Sequence, residues 1–180
     1  MASKVSIVQG NIITQSDCDG IVNAANEYLI AGGGVCGAIY KAAGPELEPF
    51  TKKLAPLRLG CAVASPGFNL SARWIIHTRG PKFHTDPDPA RNLAAALESA
   101  VRLANQLEVQ CLAVPAISTG IYGYPVREAA SILIRVAHSL REELTELTEV
   151  RFVLFDSNAY SIFLNLLDGE ELDLRGRREG

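Results

Sequence analysis

The chain has 180 residues, and it is poor in the side chains that build metal and redox centres. Its four cysteines, Cys18, Cys36, Cys61 and Cys111, stand far apart, so no CxxC or Cys/His zinc spacing exists and no metal is expected. Such a spread suits reduced thiols in a cytoplasmic protein. The three histidines form no cluster. His77 ends the apolar run Trp74-Ile75-Ile76, where a satisfied strand-end histidine outweighs a catalyst. No stretch approaches the ~18 consecutive apolar residues that span a bilayer. Met1 to Gly10 has neither the apolar core nor the cleavage site of a signal peptide, so no membrane contact is expected. Cations are not in excess: 17 Lys and Arg face 20 Asp and Glu, for a net charge of -3. That balance disfavours nucleic acid as a partner. The one dense basic run, Arg175, Arg177 and Arg178, reads as a solvated terminus.

What remains is an ordinary globular composition, 48% apolar and 21% charged, of a length that suits one domain. Short apolar runs alternate with helical patterns. Val5–Val8, Gly20–Asn23, Cys61–Ala64, Trp74–Ile76, Cys111–Val114 and Phe152–Phe155 read as strands. Ala38–Ala43, Pro45–Leu54, Asn92–Gln106, Arg127–Glu143 and Tyr160–Leu167 read as helices. This alternation predicts an α/β fold, a largely parallel sheet with helices on both faces. Residues 1–167 form the domain, and 168–180 read as a solvated tail.

Ligands of such sheets bind beyond the carboxyl ends of the strands, and two glycine-bearing loops sit at such ends. The first follows strand 20–23 and holds Gly32-Gly33-Gly34-Val35-Cys36-Gly37. The second follows strand 111–114 and holds Ser118-Thr119-Gly120-Ile121-Tyr122-Gly123. Residues 32–37 match G-x-G-x-x-G, but they lie too far past the strand and no acidic residue ends the next one, so a dinucleotide site is rejected. No G-K-[ST] follows, so a P-loop is rejected too. Glycines admit a ligand close to the backbone, and N–H groups at a helix start can hold an anion. Two such loops on neighbouring strands suggest a diphosphate between them, against the simpler reading that they only make tight turns. Asn23 and Asn26 are the amides best placed to meet sugar hydroxyls or, equally, to cap turns.

Taken in order, Asn23-Ala24-Ala25-Asn26, Gly32-Gly33-Gly34-Val35, Ala38-Ile39, Ala42-Ala43-Gly44-Pro45, Ile76-His77-Thr78, Gly80-Pro81 and Ser118-Thr119-Gly120-Ile121-Tyr122-Gly123 resemble the macrodomain family over about residues 4–167. The resemblance implies a three-layer α/β/α sandwich around a mixed, mostly parallel sheet. It implies a cleft for ADP-ribose that uses no cofactor. By the same resemblance Asn11 stands where an aspartate usually takes the adenine amino group, with Ile12 in the same pocket, Phe155 packing on adenine and Asp156 at the rim. Gly33, Gly34 and Val35 would cradle the diphosphate and distal ribose from one side. Ser118, Thr119, Gly120, Ile121 and Tyr122 would do so from the other, and Asn26 would hold the distal ribose.

Many members hydrolyse ADP-ribose from acidic side chains or deacetylate O-acetyl-ADP-ribose, and others only bind. MacroD-type hydrolases carry aspartate where this chain has Cys36. Some viral macrodomains with similar activity read Gly-Val-Cys there. The resemblance therefore implies an ADP-ribosyl hydrolase acting on mono-ADP-ribosylated proteins. Asn26 and Cys36 are its candidate catalytic residues, Cys36 without a nucleophile's role. The alternative is a non-catalytic module that reads ADP-ribose.

Overall fold

The computed structural model describes residues 2–178, and side chains through Glu171. Six strands form one sheet: β1 (Lys4–Gln9), β2 (Gly20–Ala24), β3 (Ala62–Pro66), β4 (Trp74–Thr78), β5 (Cys111–Val114) and β6 (Glu149–Leu154). Their spatial order is β1-β6-β5-β2-β4-β3. All neighbours pair in parallel except β3 with β4, so the sheet is mixed and mostly parallel, as expected.

Side chains of a strand point alternately to its two faces, and that alternation builds the layers. Val22, Ile76, Leu112, Val114, Phe152 and Leu154 face one core, shared with α3 (Pro89–Gln106), α4 (Val126–Leu140) and α5 (Ser157–Arg178). Ile21, Ile75, Ala113 and Val153 face the other, shared with α1 (Gly34–Ala43) and α2 (Leu47–Thr51). The result is the three-layer α/β/α sandwich.

Several boundaries differ from those read in the sequence. α1 begins at Gly34, four residues before Ala38, because a glycine takes the left-handed φ of 57° that opens the helix. α3 starts at Pro89, a residue whose fixed φ suits a first helical position. The stretch 45–54 divides into α2 and a 3-10 turn over Lys52–Leu54. α5 continues past Leu167 to Arg178, so the backbone of 168–178 is helical where a tail was expected. The side chains of Arg175, Arg177 and Arg178 lie outside the described residues.

One polar chain crosses the sheet beneath α1. The Asn23 amide nitrogen lies 3.0 Å from His77 Nδ1, and His77 Nε2 lies 2.8 Å from Ser65 Oγ. The amide nitrogen can only donate, so His77 accepts at Nδ1 and carries its proton on Nε2. The Ser65 hydroxyl in turn donates to the Pro66 carbonyl at 3.2 Å. His77 is thus a satisfied core histidine. Burial pushes its pKa down to about 3.

The unfolded chain binds a proton at this residue below about pH 6.5 while the folded one does not, so stability falls as pH drops from there towards 3. One such proton contributes a slope of up to ~1.4 kcal/mol per pH unit. His77→Gln keeps a donor and an acceptor with nothing to protonate. Urea unfolding between pH 6.5 and 4.5 is expected to show a slope shallower by about one proton in the variant. Equal slopes would mean that His77 is charged in the folded state.

Candidate functional site

The parallel strands β1, β6, β5 and β2 end at the same edge, and a cleft of about 640 Å³ opens there. Every residue proposed from the sequence except Asn23 lines it. Asn11 and Ile12 follow β1, and Asn26, Gly33, Gly34, Val35 and Cys36 come from the first loop and the start of α1. Ser118, Thr119, Gly120, Ile121 and Tyr122 come from the second loop, and Phe155 and Asp156 follow β6. Ala24, Gly32, Ala38, Pro115 and Val126 also line it and were missed. Small apolar side chains leave no chemical signal, and only adjacency to the glycine motifs could have pointed to them.

The first loop is clasped from within. The Asn26 amide donates to the Ile30 carbonyl at 2.8 Å and accepts from the Ile30 N–H at 3.2 Å. The Leu29 carbonyl accepts from the Tyr40 hydroxyl at 2.9 Å and from Thr51 Oγ1 at 2.7 Å. The Glu48 carboxylate takes the Ala31 N–H at 3.1 Å. Asn26 is therefore a turn clasp as well as a lining residue. Asn23 is different: it is fully buried in the His77 chain and lies outside the lining. Its place on a central strand pairs it with His77 before any ligand can reach it.

Gly37 and Gly80 hold the loops by what they lack. A Cβ on Gly37 would strike the Gly32 carbonyl, and one on Gly80 would strike Ser118 Oγ and Ile117. Across the mouth, a Cβ on Gly33 would lie 3.1 Å from Ile121 Cδ1, so the loops nearly meet. Ile121 is 85% exposed and Phe155 82%, two apolar side chains standing free at the opening.

The electrostatics come from the main chain. Neither lysine nor arginine lines the cleft, and its one carboxylate is Asp156. The starts of α1 and α4, at Gly34 and Val126, carry no side-chain cap. Among the described residues, the N–H groups of Ser118, Gly120, Ile121 and Tyr122 have no backbone partner. Uncapped helix starts and free N–H groups together favour an anion. The start of α5 is already filled, since Asp156 Oδ1 accepts the Ala159 N–H at 2.8 Å. Burial pushes the Cys36 thiol up, so it stays protonated at neutral pH, and its sulfur sits 3.7 Å from the Ile30 carbonyl. Asn11 is partly committed: its Oδ1 caps the Ile12–Thr14 turn through the Ile13 N–H at 3.0 Å. One lone pair of that oxygen and the amide N–H groups remain.

Comparison with known proteins agrees with this fold. A family model described as Macro domain matches residues 22–133. A macro domain-containing protein of Streptomyces griseus is 44% identical over 169 residues, covering 91% of this chain and 94% of that protein. A protein of Klebsiella pneumoniae named O-acetyl-ADP-ribose deacetylase is 40% identical over 172 residues, covering 93% and 98%. The structure of an Oceanobacillus iheyensis macrodomain with ADP superposes with a TM-score of 0.89 at 36% identity, covering 96% of this chain and 94% of that one.

The two central glycines should respond differently to a methyl group. Gly34 has a φ of 57°, and Gly120 lies outside the left-handed region with open space around it. Gly34→Ala is expected to lose about 1 kcal/mol. Gly120→Ala should stay within about 0.5 kcal/mol of the parent or gain slightly. Urea denaturation of both variants measures the difference. Equal losses would place the same backbone strain at both sites.

Proposed function

Because the chain belongs to the macro domain family, we propose that it binds ADP-ribose and hydrolyses it from esters. Its substrates are then proteins mono-ADP-ribosylated on acidic side chains, O-acetyl-ADP-ribose, or both. The observation that carries this reading is the cleft itself, at about 640 Å³ roomy enough for a nucleotide sugar and lined with main-chain donors instead of cations. A diphosphate bends between the Gly33–Val35 and Ser118–Tyr122 loops. The adenine end then lies by Asn11, Ile12 and Phe155, and the distal ribose by Asn26 and Cys36.

The two substrate types share their chemistry. An acetyl group on the ribose and a glutamyl group on the ribose are both acyl esters. Attack at C1″ of a glutamyl-linked ADP-ribose breaks the C1″–O bond and the carboxylate leaves, whereas attack on the ester carbonyl breaks the acyl–oxygen bond and the ribose oxygen leaves, taking the proton given up by the water. A water held by a diphosphate oxygen and by the loop around Asn26 attacks the distal C1″ or the ester carbonyl. Positioning supplies much of the rate, and free loop N–H groups stabilise the charge that develops. Cys36 shapes the floor as a neutral thiol, in accord with its raised pKa. That neutrality also favours the second reading, a module that binds ADP-ribose without turnover. We further place the protein in the reducing cytoplasm, a setting its free cysteines suit.

The two readings part on turnover. Wild-type protein incubated at neutral pH with a glutamate-linked ADP-ribosyl protein, and separately with O-acetyl-ADP-ribose, is expected to release ADP-ribose or acetate. Tight ADP-ribose binding with no release from either would leave only the binding module. Gly120→Glu, which adds bulk and charge at an unstrained position, is expected to abolish binding while the melting temperature holds. Asn26→Ala should lower turnover by at least ~100-fold, through loss of the clasp that sets the loop.

Asn11→Asp keeps the cap and adds a charged acceptor. It is expected to tighten ADP-ribose binding by ~1 kcal/mol, about fivefold. Calorimetry reads the change, and weaker binding would show that the pocket is built around the amide.

A further inference from the structure

We propose that Cys18 and Cys111 are a modification site: a dithiol that closes to an intramolecular disulfide when the protein meets a hydroperoxide. The pair lies at the entry edge of β2 and β5, opposite the cleft, so its oxidation does not depend on whether the cleft binds ADP-ribose.

Three observations converge on the pair. The two sulfurs lie 2.6 Å apart although the residues are 93 positions apart in sequence. A disulfide needs about 2.05 Å, so closure asks for about half an ångström of movement. Both side chains are held in place by their main chains. The Cys18 N–H donates to the Gln15 carbonyl at 3.0 Å. The Asp19 carboxylate accepts the Cys111 N–H at 2.8 Å and the Gln110 N–H at 3.0 Å. The second cysteine therefore cannot drift from the first without breaking the entry of β5. Finally, a cavity of about 10 Å³ lies against Cys18, bounded by Gln15, Leu70 and Ser71. That is room for about one water, so the packing beside Cys18 is not closed.

The environment makes the two thiols unequal. The bond from Cys111 holds the Cys18 thiol below its ordinary range against the effect of burial, with the Arg151 guanidinium adding to it. The same bond, with burial, holds the Cys111 proton firmly. Cys18 is thus the attacking sulfur and Cys111 the resolving one. Among the described residues no group of three His, Cys, Asp or Glu could hold a metal, so the pair is not half of a cation site.

The chemistry balances. The Cys18 thiolate attacks one oxygen of hydrogen peroxide, the O–O bond breaks, and the departing hydroxide takes a proton and leaves as water. Cys18 is now a sulfenic acid. Cys111 gives up its proton and attacks the Cys18 sulfur. The S–S bond forms, the S–O bond breaks, and the hydroxide leaves as a second water with the Cys111 proton. Two thiols are oxidised and one peroxide is reduced by two electrons.

The test uses the full chain, fully reduced and then titrated with hydrogen peroxide. After quenching and denaturation, the remaining thiols are alkylated and the peptides mapped by mass spectrometry. The expected product is a Cys18–Cys111 linked peptide, lighter by two hydrogens and reversed by dithiothreitol. Closing so long a loop should also raise the melting temperature by at least about 5 °C. Exposed Cys61 is the internal control. If Cys18 and Cys111 both remain alkylatable after Cys61 has been oxidised, the pair is inert packing and the proposal fails. In Cys111→Ser the link should vanish and a dimedone-reactive Cys18 should appear. A two-hydrogen loss that persists there would assign the bond to another pair and overturn the assignment.

Discussion

Parallel pairing of β1, β6, β5 and β2 is the constraint on which the rest depends. A parallel pair needs a long return connection, so each of these strands hands its chain to a loop at the same edge, and after β2, β5 and β6 a helix follows. The peptide groups of those loops have left the sheet ladder and lack partners in it. At β2 and β5 the return helices begin without side-chain caps. The cleft is therefore the place where the sheet's own geometry leaves hydrogen-bond donors unpaired. An anion that accepts several of those donors at once is favoured there.

Holding those donors in register requires rigidity from beneath. The Leu29 carbonyl takes two hydroxyl donors, from α1 and from the end of α2. Asn26 closes the turn, and Glu48 ties the loop to α2. Below α1, the Asn23–His77–Ser65 chain stitches β2, β4 and β3 together. Burying three polar side chains is tolerated because each finds a partner. The Tyr40 ring meets His77 edge-on at 6.1 Å, which joins the loop's anchor to the buried chain.

The sequence made the scaffold and the lining legible, but not the roles of individual amides. Alternation of apolar strand runs with helical stripes identified all six strands, and the two glycine loops located the cleft. Asn26 and Asn11 both reach it, yet each also completes a local turn, which spacing alone does not reveal. Asn23 looked as available as Asn26 until its register against His77 became visible. The Cys18–Cys111 contact was invisible for the same reason: strand order, not sequence distance, brings β2's entry beside β5. The helical backbone of 168–178 was missed because its Glu, Asp, Arg and Gly composition lacks an apolar stripe.

A cleft whose donors belong to the peptide backbone has an unusual relation to substitution. Truncating a side chain cannot delete a main-chain N–H, so a conventional alanine scan would pass over the strongest anion contacts and report a site with few important residues. The information that builds the site is carried by what is missing, the absent Cβ at Gly37 and Gly80 and the open space at Gly34 and Gly120. Side chains around the rim are then free to vary in size and polarity and so to choose what is attached to the anion. The grip on the anion itself travels unchanged with the backbone.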